Sequence, residues 1–412
     1  MKDDSIIVSR KRVPLRIAVF VLAVLAAAVA FAAGVKKLSG NEPGSAVIGA
    51  RANGDVTLYA AHFRLTYAFS GGSRDIRQKK NEIADCYSNS LAFIYKLLDP
   101  ETVHAGYEGN LADLNLRPNE EVQVSQTLFD ILADALARSE RQEGYSLYAS
   151  PFLREWERIC FSENPADFDP LRSSDMRERL EEVARRCLRP EDCRLEIVDA
   201  ETRTVMLRVE QSYLDFLEEY EIEAPILDLN ALKETYMLRY VAAALEGRGF
   251  NEGFLATVGG LSLSLSRDPA GDWEVYGCVD GAGVVAGRLP SAPGTAGRLL
   301  RAYPLTADDP GFYQIDGLLR GPWLLPTADW GEGPVRSLWV VMRTGDPVEC
   351  CAESLRLASA ETSEAFSRLA AESGADLVVW TPAEGNGRQL WAAGPDSGAL
   401  TPAEGFTVEL VN

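Results

Sequence analysis

The sequence predicts an α+β fold in which long helices pack with an antiparallel sheet, after one N-terminal transmembrane helix. Residues 74–98 carry apolar side chains at the spacing of a half-buried helix. The second half of the chain has many short apolar runs separated by Gly, Pro and Asp, which is typical of antiparallel strands. Residues 17–35 form an uncharged, largely apolar run of 19 positions. With 46% hydrophobic and 25% charged residues among 412, the composition is globular, and nothing in it requires two independent domains.

Four regions are expected along the chain: a cytosolic basic tail at residues 1–16, a transmembrane signal-anchor at 17–35, a linker at 36–55 and an extracytoplasmic domain at 56–412. As a helix, the apolar run spans about 28 Å, close to one bilayer core. Five basic residues precede it, so the positive-inside rule places the N-terminus in the cytosol. A cleaved signal peptide is the alternative. Both interpretations place the main domain across the cell membrane, and the first makes the chain a single-pass protein.

Charge and cysteine content argue against some classes of function. Net charge is −20, and residues 1–37 contribute seven basic and two acidic groups, or +5, which leaves −25 on the rest. Such a surface argues against nucleic acid as a partner of the globular part. The seven cysteines include no CxxC pair, so a zinc site is not expected. In an exported domain Cys187 and Cys193 are candidates for a short-loop disulfide, and buried free thiols are the alternative.

The first half of the chain is predicted to be mainly helical. Ser125 is placed to cap the second of its long helices. The predicted elements are, in order, a strand at 56–69, helices at 74–98, 126–139, 150–160 and 174–187, and a hairpin at 194–209.

A central unit of strand, helix and strand follows at residues 226–265. A strand at 226–229, a helix at 233–245 and a strand at 254–258 lead to Gly259 and Gly260, where the backbone can approach a ligand closely. The remaining predicted elements are strands at 261–265, 273–279, 283–286, 311–319 and 337–342, a helix at 351–371, and strands at 376–380 and 389–392.

The central unit resembles the motif "LDLGGIAKGYAVD…NLGGN" of the FAD:protein FMN transferases, the ApbE family, and the chain is identified as a divergent member. Other segments resemble family motifs in the same order between residues 58 and 395: "EGNLADLN" at 108–115, "VQVSQTLFDILADALARSERQEGY" at 122–145, "GFYQIDG" at 311–317 and "VECCAESLRLASA" at 348–360. The resemblance implies a flavin-transferase fold and Mg²⁺-dependent transfer of FMN from FAD to a Thr or Ser of an exported acceptor protein.

The resemblance also implies which residues would form the site. Glu353 takes the position of the family's metal-binding Asp, and Asp316 is the one candidate catalytic residue, matching the Asp of the family's "DPRTG". The implied cofactor-binding residues are Asp228, Tyr236, Thr257, Gly259 and Gly260.

The same positions depart from the family pattern. Asn230 and Ala231 replace the two glycines after "LDL", and Glu234 and Arg239 reverse the charge of two further positions. Leu357, which stands where the family has a metal-binding Thr, offers no oxygen to a hard cation.

The family's catalytic His is also missing, because residues 312–314 read Phe-Tyr-Gln, and the two histidines, His62 and His104, lie outside the family's motifs. The catalytic motifs are therefore expected to be degraded. Three functions stay open: an active transferase, a non-catalytic flavin-binding domain, and a protein-interaction domain on the outer face of the membrane.

Overall fold

The computed structural model describes residues 43–51, 62–140, 145–265, 272–279, 282–290, 296–300, 311–321, 335–343, 345–382 and 387–411. The predicted basic tail, the membrane helix and much of the linker lie outside these residues. Within them, none of the helices combines the length and the apolarity that a membrane crossing would need.

Most helices lie in the first half of the described chain, and most strands lie in the second half. The strands are β1 Gly44–Ile48, β2 Phe63–Phe69, β3 Val122–Gln123, β4 Cys193–Asp199, β5 Thr204–Val209, β6 Gly253–Thr257, β7 Leu261–Ser264, β8 Asp272–Val279, β9 Ala282–Pro290, β10 Ala296–Leu300, β11 Tyr313–Ile315, β12 Leu318–Arg320, β13 Val335–Met342, β14 Leu377–Pro382, β15 Gln389–Ala393, β16 Thr401–Pro402 and β17 Thr407–Leu410. The helices are α1 Ser73–Leu97, α2 Leu111–Leu116, α3 Gln126–Glu140, α4 Ser150–Cys160, α5 Pro165–Phe168, α6 Ser174–Cys187, α7 Gln211–Glu219, α8 Lys233–Glu246, α9 Pro347–Ala358 and α10 Ser363–Ala371.

One large sheet organises the fold. Among the described residues it has nine strands in the order β1-β2-β6-β7-β10-β13-β14-β15-β17. Every neighbouring pair is antiparallel except β15 and β17, which are parallel. Smaller sheets are formed by β3-β5-β4, by β16-β9-β8 and by β11-β12. The predicted α+β class, with helices beside an antiparallel sheet, is confirmed.

Helices α1, α8 and α9 pack together with the strands of the large sheet and form the main core. On α1, the side chains of Ile83, Tyr87, Leu91 and Ile94 are fully buried, at intervals of three and four residues. This spacing keeps one stripe of the helix against the core, where the removal of apolar surface from water stabilises the fold. The helix predicted at residues 74–98 is therefore confirmed, and α3, α4 and α6 confirm the other three.

Residues 226–229 do not form the predicted strand. Leu227 donates its amide to Asn115 Oδ1 at 2.8 Å, and Asn115 Nδ2 donates back to the Leu227 carbonyl at 2.9 Å. Asp228 N donates to the carbonyl of Leu147 at 2.9 Å. Because a side-chain amide satisfies this backbone, the segment is buried without joining a sheet. A short apolar run has the same appearance in sequence whether it forms a strand or a buried loop.

Two further predictions are corrected in the second half. The helix expected at 351–371 is two helices, α9 and α10, and the second is capped by Thr362, whose hydroxyl accepts a hydrogen bond from Ala365 N at 3.1 Å. The strand expected at 311–319 is the hairpin β11–β12. Its turn residues Asp316 and Gly317 have φ values of 49° and 86°. An Asp-Gly pair favours this left-handed turn geometry, so the hairpin has a local cause.

The candidate disulfide between Cys187 and Cys193 is not formed, and the alternative of buried free thiols is the one observed. The six cysteines whose side chains are described, Cys187 and Cys193 among them, are free and buried. The thiol of Cys187 instead lies 3.4 Å from the hydroxyl of Tyr213. Burial raises the pKa of the Cys193 thiol to about 12, which keeps it protonated and unreactive near neutral pH.

Candidate functional site

The N-terminal end of α8 lies beside the turn that joins β6 to β7. Thr257 accepts a backbone hydrogen bond from Gly260 N at 3.2 Å, and its hydroxyl accepts another from Leu261 N at 3.4 Å. Gly260 has φ of +81°, a conformation that L side chains rarely adopt. Three of the residues implied as cofactor-binding, Thr257, Gly259 and Gly260, therefore form one tight turn.

The side chain of Glu234 occupies the space beside this turn. Its Oε2 atom lies 2.6 Å from the position that a β-carbon on Gly259 would take. Its Oε1 atom lies 3.3 Å from Nδ1 of His62. The room left by the absent side chain of Gly259 is thus filled by a carboxylate of the same chain. While Glu234 holds this position, its carboxylate would repel the pyrophosphate of a flavin dinucleotide placed against Gly259.

Asp228 is half-buried immediately before α8. Its Oδ1 atom accepts a hydrogen bond from Asn230 N at 3.2 Å. Burial raises the pKa of Asp228, and the positive charge of Lys233 opposes the rise. Asn230 has φ of +46°, and its side chain donates to the carbonyl of Ser146 at 3.0 Å. Asn tolerates this left-handed conformation better than most residues do, which accounts for an Asn at this turn in the backbone.

Tyr236 belongs to a charged network that connects α8 with α3 and α9. Its hydroxyl donates to Asp134 Oδ2 at 3.0 Å, and Arg138 lies 3.2 Å from the other oxygen of that carboxylate. Arg239 lies 3.5 Å from both Asp134 and Asp346, with its guanidinium 5.0 Å from the centre of the Tyr236 ring. Burial, and secondarily Asp134, raises the pKa of Tyr236 far above its usual range.

Sequence reasoning did not identify Asp134, Arg138 or Asp346 as members of this region. Asp134 and Arg138 stand four residues apart on one helix, which is the spacing of a helical ion pair. Asp346 precedes Pro347 and caps α9 by accepting from Val348 N at 2.9 Å. Both patterns are visible in the sequence, but each is common on ordinary helices, so neither indicated a shared network.

Glu353 does not face the start of α8. Its carboxylate accepts two hydrogen bonds from Arg356, at 2.9 and 2.6 Å, and another from the hydroxyl of Ser373. Burial would raise its pKa, but the hydrogen bonds from Arg356 and Ser373 outweigh burial and lower it. The side of α9 that meets residues 230–232 carries Cys351, whose thiol lies 3.6 Å from the carbonyl of Ala231.

These contacts do not fit a magnesium site at Glu353. The carboxylate is already engaged, and Leu357, one turn further along α9, is fully buried and has no oxygen ligand. In the described part of the chain, His, Cys, Asp and Glu side chains form no group of three or more that could hold a metal ion. The role of Glu353 toward a metal stays a prediction.

Asp316 lies apart from the residues around α8. Its carboxylate is exposed and pairs with Arg172 at 3.0 Å. The hairpin that carries it packs on α4 through a small cluster that includes Trp156 and Ile315. Its place at the tip of the hairpin accounts for its conformation, and its catalytic role also stays a prediction. The structure thus brings Asp228, Tyr236 and the turn at 257–260 around α8 but leaves Glu353 and Asp316 elsewhere.

No protein-family model and no curated protein sequence matches this chain. Solved structures do. The ApbE protein from Thermotoga maritima superposes with a TM-score of 0.51 at 15% identity, over 83% of this chain and 93% of its own. The apo form of the flavinyl transferase ApbE from Pseudomonas stutzeri gives a TM-score of 0.50 at 14% identity, over 83% and 91%. Identity this low identifies a fold rather than a reaction. The chain therefore has, in a divergent form, the α+β fold of the ApbE flavin transferases.

Proposed function

We propose that this chain is a membrane-anchored, extracytoplasmic protein of ApbE-like fold that acts by binding a partner and no longer transfers FMN. The observation that carries the proposal is the carboxylate of Glu234 against Gly259. It adds negative charge where the backbone of the family motif would meet an anionic dinucleotide. Repulsion between like charges in a half-buried site opposes binding of the pyrophosphate.

The groups available for acid–base chemistry support the same proposal. In the segment that resembles the family's catalytic motif, Tyr313 is the one residue with a titratable hydroxyl near the position of the His. That hydroxyl is buried and donates to Asp169 Oδ2 at 2.7 Å. Burial, together with Asp169, raises the pKa of Tyr313 far above its usual range. It therefore cannot accept a proton near pH 7, as a general base must.

An active FMN transferase is the second candidate. It is favoured by the fold and by the retained turn at residues 257–260, which keeps the backbone of Gly260 in the left-handed conformation. If Glu234 moves away from Gly259, that turn becomes open to a ligand. This candidate would use FAD and Mg²⁺ and would modify a Thr or Ser of an exported acceptor.

A titration separates the two candidates. The full-length chain, purified in a mild detergent, is titrated with FAD with and without Mg²⁺, and then incubated with FAD and a flavin-acceptor domain. We expect weak FAD binding and no covalent flavin fluorescence in the acceptor band of a denaturing gel. An active ApbE flavin transferase serves as the positive control. Fluorescent labelling of the acceptor by this chain would overturn the proposal in favour of the transferase.

The membrane anchor rests on residues 17–35 and needs a separate test. We expect the full-length chain to stay in the membrane fraction after alkaline extraction. We also expect protease added outside spheroplasts to digest the main domain. Release into the soluble fraction, with the first residues removed, would identify a cleaved signal peptide instead.

A further inference from the structure

A cleft of about 930 Å³ opens between α4, α7 and the segment at residues 221–226. Its floor is apolar and includes Leu214, Leu217 and Ile226. Leu116 and Phe161 also line it, and they are 68% and 59% exposed. Large apolar side chains exposed together around a concave surface are typical of a place where another molecule packs.

The positive charges in the cleft are paired with carboxylates, but among the described residues several of its negative charges are not paired with a cation. Arg154 pairs with Glu101, and Arg158 lies 3.1 Å from Glu155, so both cations are already partnered. Three further glutamates, Glu157, Glu221 and Glu223, line the same cleft. Within the part of the chain that the structure describes, no Lys or Arg side chain lies within ion-pair distance of these three.

The environment of Glu157 agrees with this imbalance. It is half-buried, and burial raises its pKa; Arg154 opposes the rise, while Glu101 and Asp228 add to it. A carboxylate that is partly removed from water without a paired cation costs free energy. An incoming cation would offset that cost.

We propose that this cleft binds a basic polypeptide segment that carries an apolar anchor residue. The apolar floor would take the anchor, and Glu157, Glu221 and Glu223 would pair with its Lys or Arg side chains. A cation beside the exposed ring of Phe161 would also be attracted to its face. Nucleic acids and other polyanions are disfavoured by the same three carboxylates. The cleft does not include Glu234 or Gly259, so the inference rests on the cleft's own lining.

A peptide titration tests the inference. The probe is a fluorescein-labelled peptide of about 12 residues that alternates Lys with Leu and Phe, a length that suits groove binding. Its counterpart has Glu in place of Lys. Fluorescence anisotropy is measured on the full-length chain in detergent. We expect the basic peptide to bind with a Kd in the micromolar range. Its affinity should fall as the salt concentration is raised. The acidic counterpart should not bind.

Matched variants locate the binding. The double variant Glu157→Gln with Glu223→Gln should lower the affinity for the basic peptide about ten-fold, which is roughly the effect of losing paired charges in a cleft. Leu116→Ser should also lower this affinity, because it removes an apolar contact with the anchor residue of the peptide. The control combines Glu201→Gln and Glu361→Gln, two exposed glutamates outside the cleft with the same change in charge. Equal weakening in the control, equal binding of the acidic peptide, or absence of binding would each overturn the proposal, whatever the FAD titration shows.

Discussion

Glu234 places a carboxylate oxygen 2.6 Å from the point where a β-carbon would stand on Gly259. The two residues come from α8 and from the β6–β7 turn, so the contact depends on how the helix packs beside the sheet. Gly259 is not one of the glycines with a left-handed backbone. The absence of a side chain at Gly259 is therefore not required by the backbone conformation. Instead it leaves room for the side chain of Glu234, which occupies that volume.

A double-mutant cycle should measure this contact. In the native background Gly259→Ala forces the flexible carboxylate to move, so we expect a loss of roughly 1 kcal/mol in unfolding free energy. In the Glu234→Ala background the same substitution should cost almost nothing, because the obstructing oxygen is gone. Urea unfolding of the four proteins checks this. Equal costs in both backgrounds would mean that the contact has no energetic role.

Removal of the carboxylate should also make room for flavin. Glu234→Ala is expected to raise the affinity for FAD at least ten-fold, because a negative charge and a steric obstacle leave the turn together. Glu246→Ala, on the exposed end of the same helix, is the control. Isothermal titration with FAD compares the two. If both variants bind FAD as the native chain does, Glu234 is not what excludes the dinucleotide.

Asp228→Asn should stabilise the protein near neutral pH. The folded-state pKa of Asp228 is raised by burial above its ordinary value of 3.8, so the folded protein holds this proton more tightly than the unfolded chain. The ionised Asp228 therefore lowers stability as the pH rises above 3.8 through the folded-state pKa. We expect a gain of roughly 1 kcal/mol at pH 7 that disappears below the ordinary pKa. Urea unfolding across pH checks it, and a gain that persists in acid would exclude ionisation as the cause.

Glu353→Gln should destabilise the protein with the opposite pH dependence. The folded-state pKa of Glu353 is lowered from the ordinary 4.5, so its contribution is present above that value and is lost as the pH falls through the folded-state pKa. Loss of charge-assisted hydrogen bonds to Arg356 and Ser373 should cost roughly 1.5–3 kcal/mol at pH 7. Glu349→Gln, on the exposed side of the same helix, is the control.

The same pair of variants tests the metal assignment. Since the carboxylate of Glu353 is engaged by its neighbours, added Mg²⁺ should not raise the melting temperature of the native chain more than that of Glu353→Gln. A stabilisation by Mg²⁺ that is present in the native chain and in Glu349→Gln, but missing in Glu353→Gln, would establish Glu353 as a metal ligand.

Asn115→Ala should lower the free energy of unfolding by removing the hydrogen-bond partner of two buried backbone groups. The substitution leaves both the amide and the carbonyl of the fully buried Leu227 without their partner. We expect a loss of roughly 2–4 kcal/mol. Asn89→Ala, at an exposed position of α1, should change stability by less than about 0.5 kcal/mol. Chemical unfolding compares them, and similar small losses would show that water replaces the amide at Leu227.

The local pattern of residues was sufficient to predict much of the fold. The helices predicted at 150–160 and 174–187 have those bounds in the structure, because an apolar stripe and the start and end signals are properties of neighbouring residues. The Asp-Gly turn of β11–β12 was equally readable and was missed. By contrast, residues 226–229 could not be assigned locally, since their hydrogen-bond partner is Asn115, more than a hundred residues earlier.

The sequence by itself determined the α+β class, the main helices and the resemblance of successive segments to the motifs of the family, from which degraded catalytic motifs are expected. Only the tertiary structure decided which of these side chains meet. Glu234 reaches Gly259, and Tyr236 reaches Asp134, through contacts between elements that are far apart in the chain. Such contacts depend on strand register and on helix packing against the sheet. A one-dimensional pattern records which face of an element is buried but not which partner it is buried against.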